Sequence, residues 1–148
     1  MINFETIYLA LFNKVKVATY GDPPVAFLTT SRRLKHWSGV PSGEQPALFQ
    51  IEIGIELVQQ KGIPSKYLLK ADLYIYAFNS DHNSTPAIML NQLIAAVNES
   101  LAPDPATGFQ TLGLESVSHC WIEGEIITDE GVLGDQAVAI VPINILAI

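Results

Sequence analysis

Residues Leu48–Val58 constrain the fold more than any other segment. Phe49, Ile51, Ile53, Ile55 and Leu57 alternate there with Gln50, Glu52, Gly54 and Glu56. A period of two belongs to a β-strand, and it predicts one buried face and one wet face. Gln59–Ser65, with Gly62 and Pro64, reads as a turn. Lys66–Phe78 then alternates again, with Leu69, Ala71, Leu73, Ile75 and Ala77 on one face and Lys70, Asp72, Tyr74 and Tyr76 on the other. Two long strands joined by a short loop predict an antiparallel hairpin.

The flanking segments predict what covers the hairpin. Asn3–Val17 reads as a helix, with Phe4, Tyr8, Leu11 and Val15 at helical spacing and Ile7 and Phe12 widening the stripe. Asn3 is placed as its N-cap, with Ile2 and Ile7 where a hydrophobic staple would sit. Gly21-Asp22-Pro23-Pro24 ends the segment, and Val25–Thr30 reads as a strand. A second helix starts at Thr85-Pro86, taken as N-cap and first helical residue, and runs through Leu90, Leu93, Ile94, Val97 and Leu101 until Pro103 and Pro105 stop it. Val117–Ile127 alternates as one further strand, Asp129–Asp135 supplies turn residues, and Ala137–Ile148 is a final apolar strand. Pro142 inside that strand argues for an edge position or a bulge. A bare apolar edge needs a cover, and a neighbouring subunit is a natural one. The expected fold is α+β in one domain, residues 1–148: an antiparallel sheet of about five strands with two main helices packed on one face.

Charge and cysteine content narrow the function classes. Charged residues make up 16% of the chain and hydrophobic residues 49%. The charged share is well below the roughly 25% of an average domain, which predicts either a generous core or surface buried against other chains; the second is preferred, because a small domain has little interior to spare. A net charge of −7, from 8 basic and 15 acidic residues, repels the phosphate backbone and argues against DNA gripping. The single cysteine, Cys120, excludes an internal disulfide and suits a reducing cytoplasm. No run of about 18 apolar residues is present, so no membrane partner is expected, and neither is a cleaved leader.

No constellation predicts catalysis, metal or cofactor binding. His36, His82 and His119 share no metal-binding spacing, and Asp81 with His82 reads as a solvated loop. His119 and Cys120 are adjacent and would point to opposite sides of a strand, so Cys120 reads as a buried structural residue. Glu123 and Glu125 would share a strand face about 7 Å apart. That separation overlaps the glycosidase range, which keeps a small carboxylate-based hydrolase as a minor alternative. A small-ligand-binding module is another alternative and would need a closed apolar pocket. Ser31-Arg32-Arg33-Leu34-Lys35-His36-Trp37 forms the basic cluster. Its Arg and Trp residues are the types enriched at binding hot spots.

Several motifs in order carry a family likeness. They are Ser31–Trp37, Gln45-Pro46-Ala47-Leu48-Phe49, Ala71-Asp72-Leu73-Tyr74-Ile75-Tyr76, Leu90-Asn91-Gln92-Leu93, Gln110-Thr111-Leu112-Gly113, His119-Cys120-Trp121-Ile122-Glu123-Gly124-Glu125 and Gly134-Asp135-Gln136-Ala137-Val138-Ala139-Ile140-Val141-Pro142-Ile143. Together they resemble the tail-terminator, or tail-completion, proteins of long-tailed bacteriophages, over residues 4–146. Leu114 departs from the pattern, in which a second glycine follows Gly113. The resemblance implies a structural virion protein at the tail–neck junction, made in the host cytoplasm, with no enzymatic activity and no cofactor. It implies a homohexameric ring that caps the tail tube, ends tube polymerisation and offers a docking surface to head-side neck proteins. DNA would pass through the ring only as cargo. Six chains at −7 sum to −42, a wall to which DNA would not stick. Another head–tail joining ring protein of the neck is the alternative. Arg32, Arg33, Trp37, Gln110, Thr111, Ile143 and Ile145 are the expected subunit or tube contacts.

Overall fold

In the computed structural model, which describes residues 2–59, 61–131 and 134–148, the hairpin stands at the middle of the molecule. Strand β4 (Ala47–Val58) pairs antiparallel with β5 (Lys66–Phe78) along its whole length. Before it come helix α1 (Phe4–Val15), the short strands β1 (Thr19–Tyr20), β2 (Val25–Ala26) and β3 (Thr29–Ser31), and 3-10 turns at Trp37–Gly39 and Ser42–Glu44. After it come helix α2 (Ala87–Ser100), β6 (Val117–Ile122), β7 (Ile127–Asp129) and β8 (Gln136–Ala147). The main sheet has six strands in the order β3-β4-β5-β8-β6, with β7 also paired to β8.

Helix α1 starts as its sequence predicts, whereas α2 starts one residue later than expected, at Ala87, with Pro86 rather than Thr85 in the cap position and no side-chain cap bond. The Asn3 side chain accepts the Thr6 N–H at 3.0 Å, and Glu5 in the first turn complements the helix dipole. Pro86 has helical angles ahead of α2, and the Thr85 carbonyl accepts the Ile88 N–H at 3.2 Å. The apolar stripes of α1 (Ile7, Tyr8, Leu11, Val15) and α2 (Leu90, Leu93, Val97) join Leu69–Ala77 of β5 and the alternate residues Ala137–Ala147 of β8 in one core. Each Leu or Ile fully buried there contributes about 1.5–3 kcal/mol. A smaller cluster of Val40, Ala47, Phe49 and Tyr76 lies apart from it.

The structure departs from the sequence reading at five places. The sheet is mixed rather than antiparallel throughout, because β3 runs parallel to β4. The strand expected over Val25–Thr30 is broken: β2 pairs back onto β1, Phe27 turns into the core, and Leu28 hands its N–H to the Pro46 carbonyl. The strand expected over Val117–Ile127 is also two strands. Gly124, at φ +91°, breaks it between β6 and β7, and Glu123 donates its N–H to the Pro142 carbonyl at 3.1 Å.

The fourth departure concerns β8, which was expected at a sheet edge or at a bulge. It lies in the interior of the sheet, between β5 and the β6/β7 pair. Pro142 is tolerated because of the break in its neighbour. In an antiparallel ladder the N–H and C=O of one residue point to the same side. The missing N–H of Pro142 therefore faces the gap between Ile122 and Ile127, where no ladder bond is required.

The fifth departure is in β4 itself. A register shift between Glu52 and Gly54 places a bulge at Ile53. Before the bulge, Leu48 joins the main core and Gln50 reaches the Tyr8 backbone, while Phe49 lies in the smaller cluster; after it, Ile55 and Leu57 lie on the side of Leu69 and Tyr67. The alternating apolar residues of β4 thus do not share one buried face. Ala47–Gln50 is buried and Glu52–Val58 is exposed.

This division predicts unequal responses to truncation. Leu73→Ala, at a fully buried position, should cost about 2–5 kcal/mol in urea unfolding. Leu57→Ala, at a position 53% exposed, should change stability by less than about 0.5 kcal/mol. Equal losses would contradict the placement of the bulge.

Candidate interaction surface

The exposed half of β4 is the most prominent apolar surface among the described residues. Strand β3 pairs only with Ala47–Phe49, so among the described residues no strand lies against the outer edge of β4 from Gln50 to Val58. Helix α1 leans over β5 instead, with the Phe4 ring edge-on to Tyr67 at 5.2 Å. Ile53, Ile55, Leu57 and Val58 are left exposed on the strand, with Ile63 beside them in the turn. An open sheet edge studded with large apolar side chains is a pairing and docking surface in water.

Polar ties on the inner side fix where this edge begins. The Tyr8 hydroxyl donates to the carbonyls of Gly54 and Lys70, both at 3.2 Å, so it spans the bulge pair. Burial pushes this phenol up to about 12. Gln50 donates its amide to the Tyr8 carbonyl at 2.9 Å. Arg32 forks between Glu5 of α1 and Glu52 of β4, the latter at 2.9 Å. The hydrogen bond and charge of Arg32 hold the Glu5 carboxyl below its ordinary range.

Arg32, expected to reach a neighbouring subunit, is thus engaged by its own chain. Arg33 is exposed, and its guanidinium makes no ion pair among the described residues. Trp37 is 45% exposed, with the His36 ring tilted against it at 4.8 Å. His36 also accepts the Ser38 N–H and so caps the 3-10 turn that carries Trp37. Trp37 further lines a depression of about 570 Å³ with Phe78, Asp129, Asp135 and Val138.

The remaining expected contacts divide between surface and interior. Gln110 is buried and works within its loop, donating to the Ala102 carbonyl and accepting the Leu112 N–H. Leu112 (φ +54°) and Gly113 (φ +74°) then turn the chain so that Leu114 N–H reaches the Thr111 carbonyl at 2.9 Å. Leu114 packs partly against the core, while Thr111 is exposed. Ile143 and Ile145 are buried in the core by this chain's own residues and have no surface to offer a partner.

The other candidates separate in space. Gly124 turns the chain between Glu123 and Glu125, both exposed, and Glu123 accepts from the Trp121 indole. They do not line the depression beside Trp37. Cys120 is buried and its thiol is pushed up to about 12, so it stays protonated at neutral pH. Asp81 accepts the Asn83 N–H, while His82 lies 3.4 Å from Asp135. No group of three or more His, Cys, Asp or Glu that could hold a metal occurs among the described residues, and no helix there is long and apolar enough to cross a membrane.

Sequence reasoning missed one pairing that joins two of the motifs. Gln45 and Gln136 exchange amide hydrogen bonds at 2.8 and 2.9 Å, and Gln45 also donates to Val40. The two residues stand far apart in the chain, and no local pattern signals their meeting.

Arg32 gives a pH-dependent prediction. Glu5 has a lowered pKa in the fold, so its contribution is present above its ordinary value of 4.5 and fades as pH falls below it. Arg32→Ala should lower unfolding stability at neutral pH, and the gap to wild type should narrow near pH about 3, in the range where carboxylates protonate. A gap that is the same at both pH values would mean that the guanidinium's packing, not its charge, ties α1 to β4.

No protein-family model matches this chain, and no curated protein matches it, so the likeness to tail terminators rests on the motif series quoted above.

Proposed function

We infer that this protein is a structural subunit of a phage virion, a ring that caps the tail tube, ends its polymerisation and receives the head-side neck proteins. The observation that carries the assembly part of this reading is the uncovered half of β4, where Ile53, Ile55, Leu57 and Val58 stand on an open sheet edge. A free-standing monomer would keep such an edge short, charged or covered. The low charged fraction of 16% points the same way. The tail-terminator role comes from the ordered motifs. In this reading both helices pack on one face of the sheet, which leaves its edges and Arg33 and Trp37 free for neighbours.

The runner-up is another ring protein of the head–tail junction, which the same surface would serve. Uncapped tail tubes separate the two. A terminator added to them should appear as a six-fold ring at the tube tip in negative stain and should stop elongation. Binding to head-side connectors, with no binding to tube tips, would favour the runner-up, and binding to neither would overturn the reading. Arg33→Ala with Trp37→Ala should reduce tip occupancy several-fold, as removal of exposed hot-spot residue types does, while leaving the unfolding midpoint within error.

A further inference from the structure

Every Lys and Arg of this chain lies at or before Lys70. All 8 basic residues and 5 of the 15 acids fall in residues 1–70, a local balance of +3; residues 71–148 hold the other 10 acids and no Lys or Arg, a balance of −10. The sheet converts this linear division into a spatial one. Its order places β3 and β4, from the basic segment, at one edge and β6 and β7, from the acidic segment, at the other.

Each edge also exposes what a contact needs. At the β4 edge, Lys61 and Lys66 flank the apolar residues of the hairpin end and make no ion pair among the described residues. The Glu residues nearby are already engaged, Glu52 by Arg32 and Glu56 by Lys70 at 3.5 Å. At the opposite edge, Ile127 is 57% exposed between Glu125 and the exposed pair Asp129 and Glu130. One edge is apolar with free ammonium groups, and the other is apolar with free carboxylates.

We propose that the hairpin end of one copy, around Leu57, Lys61 and Lys66, docks on the Glu125–Glu130 edge of the next copy. This proposal rests on the ring reading above and names the contact that would build the ring. The two surfaces lie on opposite edges of one sheet, so one flat contact with a single partner cannot cover both. Each copy bridges two neighbours, which is the head-to-tail arrangement that closes into a ring rather than a two-fold dimer. Opposite potentials steer the encounter and reject the reversed orientation, in which like edges meet.

Paired charge reversals test the contact. Lys61→Glu with Lys66→Glu, and separately Glu125→Lys with Glu130→Lys, alter surface side chains, Lys66 half-buried and the other three exposed, and circular dichroism checks that both variants fold. Assembly of the whole chain is read by sedimentation and mass photometry, alone and on tube tips. Each variant alone should assemble at least about tenfold more weakly than wild type at low salt. An equimolar mixture of the two should recover assembly, because each then meets a complementary edge, and added salt should weaken wild-type association. If wild type forms rings and both variants do so equally well, the contact is wrong while the ring reading stands. If only the lysine variant is defective, a contact of like β4 edges replaces the one proposed. If wild type forms no ring in solution or on tube tips, the ring reading fails and this contact falls with it.

Discussion

The anchoring of α1 across the β4 bulge governs the rest of this molecule. One hydroxyl, from Tyr8, holds the carbonyls of Gly54 and Lys70 on paired strands, and Gln50 reaches back to the Tyr8 backbone. These bonds are individually modest, about 1 kcal/mol each, but they sit where the register of β4 shifts. On the inner side they close the core over Leu48 and Leu69–Ala77. Beyond them β4 keeps β5 on its inner edge, but among the described residues no strand pairs its outer edge and its apolar residues stay exposed. The boundary between a finished core and an unfinished edge is therefore set by where α1 is tied.

That boundary was not legible in the sequence, although much else was. The two helices and the alternating face of β5 follow from periodicity, because Leu69, Ala71, Leu73, Ile75 and Ala77 form an uninterrupted buried row; the Asn3 cap of α1 follows from its residue type, while the cap of α2 falls at Pro86 rather than Thr85. In β4 the same alternation misleads. Ile53 takes up an extra residue in the bulge, so the apolar positions on either side of it face opposite ways. Gln50, which reads as a wet position, is buried under α1. A bulge leaves no compositional mark when the extra residue is as apolar as its neighbours.

Position within the sheet was equally hidden. An apolar C-terminal strand with a proline suggested an edge, yet β8 is interior, and the break at Gly124 is what admits Pro142. The expected interface residues divided along the same line. Ile143 and Ile145 belong to the core, Gln110 to its own loop and Arg32 to an intramolecular fork, while Arg33, Trp37 and Thr111 stay at the surface. The candidate surface shifted to the hairpin end, where the residues had looked like ordinary core positions. Charge, read as a single total, concealed its distribution: the −7 of the chain is a basic segment and an acidic segment carried to opposite edges by the strand order.

The claim at the centre of this account is that assembly covers the outer edge of β4. Hydrogen–deuterium exchange of the dilute chain, compared with the chain bound at tube tips, measures it directly. The account predicts that the amides within Glu52–Val58 that point away from β5 exchange quickly in the free chain and become protected on assembly, while those of Leu69–Ala77, flanked by β4 and β8, are slow in both states. Unchanged exchange over Glu52–Val58 in a chain shown to be assembled would contradict it.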